Sequence, residues 1–86
     1  FDLNKMEVRK NDELVLLTSL ELRILYLLFI NMNKVVTRSY LLEYIYNLTG
    51  NDVNDNTITV YLKRIREKLD EDIIKTVKGI GYRIDE

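Results

Sequence analysis

Asn56, Thr59, Val60, Lys63 and Arg64 place an amide, a hydroxyl, a branched apolar group and two cations in one short stretch. Guanidinium and amide groups can form paired hydrogen bonds to base edges, and a hydroxyl can donate or accept. An apolar methyl can pack on the thymine methyl. On one surface this set suits the reading of a DNA major groove. The plainer reading is an amphipathic helix with a solvated charged face.

The element that must carry these groups runs from Asp55 to Leu69. Ile58, Leu62, Ile65 and Leu69 fall at i, i+4, i+7 and i+11, one apolar stripe at helical period. The opposite side carries Asn56, Val60, Lys63 and Glu67, flanked by Thr59, Arg64 and Arg66. Asp55 is the expected N-cap, its side-chain oxygen accepting from the first-turn amides. The helix is thus expected to be buried on one side and presented on the other.

Composition narrows what this face can serve. The chain has 86 residues, enough for one small core, and 47% of them are hydrophobic, which excludes a disordered composition. There is no cysteine and no histidine, so disulfides, thiolate metal sites, the commonest general base and the commonest metal ligand are all absent. No apolar run approaches the ~20 residues of a membrane span, and no secretory signal is visible, so a cytoplasmic location is expected. Net charge is −1, but residues 56–83 carry seven cations against four anions, +3, which leaves −4 for the remainder. The chain opens at Phe1 in what reads as a strand, as expected of a fragment of a longer protein.

The other elements follow in order. Residues 1–17 read as short antiparallel strands: Phe1 and Leu3 alternate about Asp2, Met6 to Arg9 alternates again, and Asn11-Asp12 makes a turn before Leu14 to Leu17. Thr18-Ser19-Leu20-Glu21 is a capping box that opens a helix running to about Asn33. Leu22, Leu25, Leu28 or Phe29, and Met32 line its inner face. Ile24, Leu27 and Ile30 make it apolar nearly all round, the expected central helix. Val35-Val36 reads as a short extended link. Thr37 caps a second helix, Arg38 to about Asn47, with Leu41, Leu42 and Ile45 inward. Leu48, Thr49, Gly50, Asn51, Asp52, Val53 and Asn54 read as a loop. After Asp70-Glu71-Asp72, Thr76-Val77-Lys78 and Tyr82-Arg83-Ile84 form a hairpin with cations on both arms, turned at Gly79-Ile80-Gly81.

Sheet, two helices, a basic amphipathic helix and a basic hairpin follow helix-turn-helix logic with a wing. Here the sequence resembles the DNA-binding output domain of OmpR/PhoB-family two-component response regulators. Four blocks carry the resemblance, in order and over essentially the whole chain: Leu17-Thr18-x-x-Glu21-Leu22; Val36-Thr37-Arg38-x-x-Leu41-Leu42; Thr57-Ile58-x-Val60-x-Leu62-x-Arg64-Ile65-Arg66-x-Lys68-Leu69; and Thr76-Val77-Lys78-Gly79-Ile80-Gly81-Tyr82-Arg83. The last, usually T-V-R-G-x-G-Y-R in the family, is the most specific.

The resemblance implies an α+β winged helix-turn-helix fold over 1–86, with an N-terminal antiparallel sheet usually of four strands, three helices and a C-terminal wing. Three N-terminal strands are legible, so the first is expected before Phe1. It implies double-stranded promoter DNA as partner, commonly as direct repeats bound by head-to-tail dimers, with the isolated domain monomeric. It implies control by an N-terminal receiver domain, absent here, that a histidine kinase phosphorylates. It implies contact with RNA polymerase through the loop 48–54. It implies no cofactor. Arg64 matches the family's base-reading arginine, and Asn56, Thr59, Val60 and Lys63 share its face. Thr57, Tyr61, Arg66, Arg38, Tyr46 and Thr76 match positions near the phosphate backbone. Lys78 stands where the family's wing arginine enters the minor groove. Lysine lacks the flat fork, so a phosphate contact is expected there. Tyr61 stands where many members have histidine, and Thr59 and Glu67 give the face its own pattern. The target sequence therefore cannot be borrowed from a relative.

The competing function is a winged-helix protein-interaction module without DNA binding, which the near-neutral net charge allows. Catalysis finds no support. The acids at 70–72 read as a solvated helix end, and Gly79-Ile80-Gly81 lacks the Lys-Ser/Thr of a phosphate-cradling loop.

Overall fold

Three N-caps set where the helices begin. The computed structural model describes residues 7–51 and 54–85, with the side chain of Asp55 outside the description. The strand expected at Phe1 to Leu3 lies outside the described residues. Thr18 Oγ1 accepts from the Glu21 amide at 3.2 Å, and Glu21 Oε1 accepts from the Thr18 amide at 2.9 Å. This reciprocal box opens α1 (Ser19–Ile30). Thr37 Oγ1 accepts from the Tyr40 amide at 3.1 Å and opens α2 (Arg38–Thr49). The third cap corrects the sequence expectation. Asn54, not Asp55, caps α3 (Asp55–Lys68), its Oδ1 accepting from the Thr57 amide at 3.0 Å. Both residue types cap well. An N-cap acceptor serves the amide three residues on, and Thr57, whose hydroxyl also donates to Asn54 Oδ1, fixes the choice one position earlier.

Helix ends also move. α1 stops at Ile30 rather than Asn33, because the Asn31 side-chain amide donates to the Leu27 carbonyl and Asn33 adopts a positive φ of 68°. Its outer residue Ile30 is exposed. α2 continues two residues past Asn47, to Thr49. Gly50 at φ 73° then ends it, donating its amide to the Tyr46 carbonyl at 2.7 Å.

The strands are short. β1 (Arg9–Lys10) and β2 (Glu13–Leu14) form a hairpin across Asn11 and Asp12, at φ 52° and 65°. Positive φ at both central residues is the primed turn that matches strand twist. The alternation from Leu14 to Leu17 does not extend β2, though Val15 still donates to the Val8 carbonyl. β3 (Val36–Thr37), β4 (Lys75–Val77) and β5 (Gly81–Arg83) form a second antiparallel sheet in the order β3-β5-β4. Val36 and Thr76 both register with Tyr82. The link expected at Val35-Val36 is therefore partly a strand, and it pairs with the hairpin.

The core is shared among all three helices. Ile24, Leu25 and Leu28 of α1, Leu41 and Ile45 of α2, and Ile58, Leu62 and Ile65 of α3 are almost wholly buried. Leu69, Ile74, Tyr82 and Ile84 join them, so the base of the hairpin belongs to the core. Emptying any such site costs ~2–5 kcal/mol for a leucine or isoleucine cut to alanine. α3 is thereby fixed by its stripe, and its other side faces out.

Candidate nucleic-acid interface

The stripe Ile58, Leu62, Ile65 and Leu69 is buried to between 0% and 4% exposure, as its spacing requires. Asn56, Thr59, Val60, Lys63, Arg64 and Glu67 are exposed on the other side of α3. The 44% exposure of Val60 places an apolar side chain among polar ones, where a methyl contact could form. Asn54, Asn56, Thr57, Val60, Tyr61 and Arg64 line one open concavity at the start of this face. The structure thus brings three of the five base-reading candidates, Asn56, Val60 and Arg64, to one concavity, and Thr59 and Lys63 are exposed on the same helix outside it.

Ion pairing leaves Arg64 outward. Glu67 pairs with Lys63 at 4.0 Å, an exposed i,i+4 pair of little energetic weight. The Arg64 guanidinium lies 6.0 Å from the centre of the Tyr61 ring. Tyr61 is half-buried and packs on the core.

The backbone candidates divide. Arg66 is turned toward its own chain. Its Nε and Nη2 donate to the Ile74 carbonyl at 3.1 and 2.7 Å, and Nη2 donates to Thr76 Oγ1 at 3.0 Å. Arg66 and Thr76 thus join α3 to β4. Thr57 is committed to the helix cap. Arg38 lies with its guanidinium 5.4 Å from the Tyr82 ring centre, linking α2 to β5. Tyr46 is exposed at 48%.

In the wing, the Ile80 amide donates to the Val77 carbonyl at 3.0 Å, closing a turn that carries Lys78 exposed at its tip. Gly79 sits at φ 77°, where a side chain is strained. Gly81 is needed for another reason: an added Cβ would stand 2.1 Å from the Val36 carbonyl oxygen. The loop expected at 48–54 is shorter than its sequence suggests. Leu48 and Thr49 belong to the last turn of α2, Gly50 caps it and Asn54 caps α3, while Asp52 and Val53 lie outside the described residues.

One contact carries no sequence signal. Lys68 Nζ stands 2.7 Å from Glu21 Oε1, and Glu21 is buried to 1%. Burial alone would raise the Glu21 carboxyl above its ordinary value of 4.5. The hydrogen bonds from Lys68 and Thr18, with the Lys68 charge, outweigh it and lower the value.

Residues 11–84 match the family described as transcriptional regulatory protein, C terminal. The chain belongs to this family. Its members are transcriptional regulators, not an enzyme family. The response regulator protein PmrA of Pseudomonas aeruginosa is 39% identical over 80 residues, which cover 93% of this chain and 36% of PmrA. The chain thus spans little more than a third of such a relative. The response regulator DrrB of Thermotoga maritima, an OmpR/PhoB homologue, superposes with a TM-score of 0.82 at 32% identity, over 93% of this chain and 38% of DrrB. The DNA-binding domain of response regulator AdeR, solved in complex with an intercistronic region, superposes with a TM-score of 0.81 at 27% identity, over 99% and 90% of the two chains. The OmpR/PhoB-type resemblance and the winged-helix fold are borne out. DNA binding in transcription regulation, not a bare protein-interaction module, is the function that family and relatives support.

Proposed function

We propose that this chain is the output domain of a two-component response regulator, laying α3 in the major groove of promoter DNA and setting the wing tip against the adjacent backbone or minor groove. The observation that carries this is the division of α3. One stripe is almost fully buried, and the opposite face presents Asn56, Thr59, Val60, Lys63 and Arg64 beside a hairpin that Arg66 ties to the same helix. A guanidinium on such a face can bond guanine O6 and N7 together, worth about 1–3 kcal/mol of discrimination. The +3 balance of residues 56–83 gives this part of the chain the sign a phosphate backbone attracts. Lys78, Arg38, Tyr46, Thr57, Tyr61 and Thr76 are proposed to border the phosphates. Arg66 contributes mainly by holding the wing.

The wider reading extends beyond this chain. Residues 1–86 form one winged-helix domain, and a receiver domain phosphorylated by a histidine kinase controls it. Two copies bind direct repeats head to tail, the free domain being monomeric. The surface from Leu48 to Asn54 meets RNA polymerase. Action in the cytoplasm fits these partners. Among the described residues no helix is long and apolar enough to cross a membrane.

A salt titration of binding tests the reading. The probes are a duplex enriched by the chain from a randomised pool and a scrambled duplex of equal composition. Preference for the enriched duplex, with log affinity falling linearly in log salt, is expected. A chain that enriches no duplex and binds neither probe at low salt would be a protein-interaction module instead.

A further inference from the structure

Tyr61 and Arg64 are three residues apart on α3, where side chains one turn apart meet. The Tyr61 ring is half-buried and packs on the hydrophobic core, so its orientation is set by the fold. Arg64 is exposed, yet its guanidinium lies 6.0 Å from the ring centre, within reach of cation–π attraction. Both line the concavity that Asn56 and Val60 also border. An exposed arginine otherwise samples many rotamers, and freezing them opposes binding. A rigid aromatic platform beneath its head removes part of that cost before any duplex arrives.

We propose that Tyr61 is a positioning residue for sequence readout: its ring holds the Arg64 guanidinium in the orientation that meets a base edge. This rests on the reading of Arg64 as a base-contacting residue, and it changes the role of Tyr61. A phosphate anchor acts through its hydroxyl and strengthens binding to every duplex alike. A platform acts through its ring and affects only the duplex that Arg64 distinguishes. The tyrosine itself supplies the discriminating feature, because phenylalanine keeps the ring and loses the hydroxyl.

The test is a cycle of Tyr61→Phe and Tyr61→Leu, each alone and with Arg64→Ala, measured on the enriched and scrambled duplexes. Urea unfolding of each variant identifies any loss of folded chain at the assay temperature. Tyr61→Phe is expected to leave both affinities, and therefore their ratio, unchanged. Tyr61→Leu is expected to lower that ratio about 2- to 5-fold, the scale of an exposed cation–π contact. It should do so only where Arg64 is present. If Tyr61→Phe weakens both duplexes equally, Tyr61 is a phosphate anchor and the proposal fails. It fails also if Tyr61→Leu lowers the ratio equally with and without Arg64. Arg64→Ala in the wild-type background is the separate check on the underlying reading. If that single change leaves the ratio intact, Arg64 reads no base and both ideas fall together. If it lowers the ratio while Tyr61→Leu does not, positioning alone is wrong.

Discussion

Glu21 Oε1 lies 2.7 Å from Lys68 Nζ, and this contact joins the first turn of α1 to the last turn of α3. The same oxygen accepts from the Thr18 amide, so one buried carboxylate closes a helix cap and anchors a second helix. α3 is the presented helix, and its angle to the core depends on where its ends are held.

Glu21→Gln should therefore destabilise the chain by about 1–2 kcal/mol at neutral pH, since a hydrogen bond to a charged partner is lost while Lys68 stays partly in water. The pH dependence has a definite sign. The folded-state value of Glu21 is lowered below 4.5. Its contribution is present above the unfolded value and fades as pH falls through the folded value. Urea midpoints at pH 7 and near pH 3 should converge between wild type and Glu21→Gln at the acid end. A difference unchanged by acid would mean that the carboxylate charge does not stabilise the fold.

The two wing glycines should respond differently to alanine. Gly79 has open space around its Cα and a φ of 77°, so Gly79→Ala meets backbone strain of roughly 1–2 kcal/mol and little else. Gly81→Ala drives a methyl into the Val36 carbonyl, 2.1 Å away, and must push β3 from β5. A loss above about 2 kcal/mol is expected, in the range of overpacked interiors. Thermal unfolding of both variants ranks them. Equal losses would show that β3 yields to the added methyl without cost.

The helical part of this fold was legible because it is local. The capping box at Thr18 and Glu21, the Thr37 cap and the stripe from Ile58 to Leu69 each depend on residues within a few turns, and each stands where its spacing puts it. The cap of α3 was misplaced by one residue because Asn54 and Asp55 are both good caps and only the hydroxyl of Thr57 separates them. β3 was missed because Val36 and Thr37 become a strand only beside Gly81 and Tyr82, far along the chain. The exposed face of α3 was readable from the same stripe. The commitments of Arg66 to Ile74 and of Lys68 to Glu21 were not, since two cations spaced like any others gave no sign which of them face inward. Period predicts a side; it does not predict a partner.

The cap assignment itself can be checked. Asn54→Ala should cost about 1 kcal/mol, the usual worth of an N-cap, because the Thr57 amide and hydroxyl both lose their side-chain acceptor. Asp55→Ala should cost less, since the side-chain acceptor of the Thr57 amide and hydroxyl is Asn54 Oδ1. Chemical denaturation separates them. A larger loss at Asp55 would return the cap to that residue.

Arg66 offers a contrast between bracing and binding. Its planar fork satisfies the Ile74 carbonyl and the Thr76 hydroxyl together, a geometry lysine cannot reproduce. Arg66→Lys keeps the charge, so a phosphate contact would survive it in large part, whereas the brace would not. The variant should lose about 1–2 kcal/mol of stability, given a partly buried hydrogen-bond set. Amide exchange in β4 should quicken. Unchanged stability and exchange, with weaker DNA binding, would make Arg66 a phosphate contact and remove it from the architecture.

Lys78 and Arg64 should separate along the axis that distinguishes positioning from readout. Lys78 stands at the tip of a turn, exposed, with an ammonium that carries charge but no directional fork. Lys78→Ala should weaken the enriched and scrambled duplexes alike and reduce the salt slope by about one unit, as for the loss of a phosphate contact. Arg64→Ala should lower the preference for the enriched duplex by about 10-fold or more, within the range of a lost bidentate base contact. Fluorescence anisotropy across a salt series gives both quantities from one set of curves. If Lys78→Ala instead abolished sequence preference and left the slope unchanged, the wing would be the reading element. The exposed face of α3 would then serve mainly to place it.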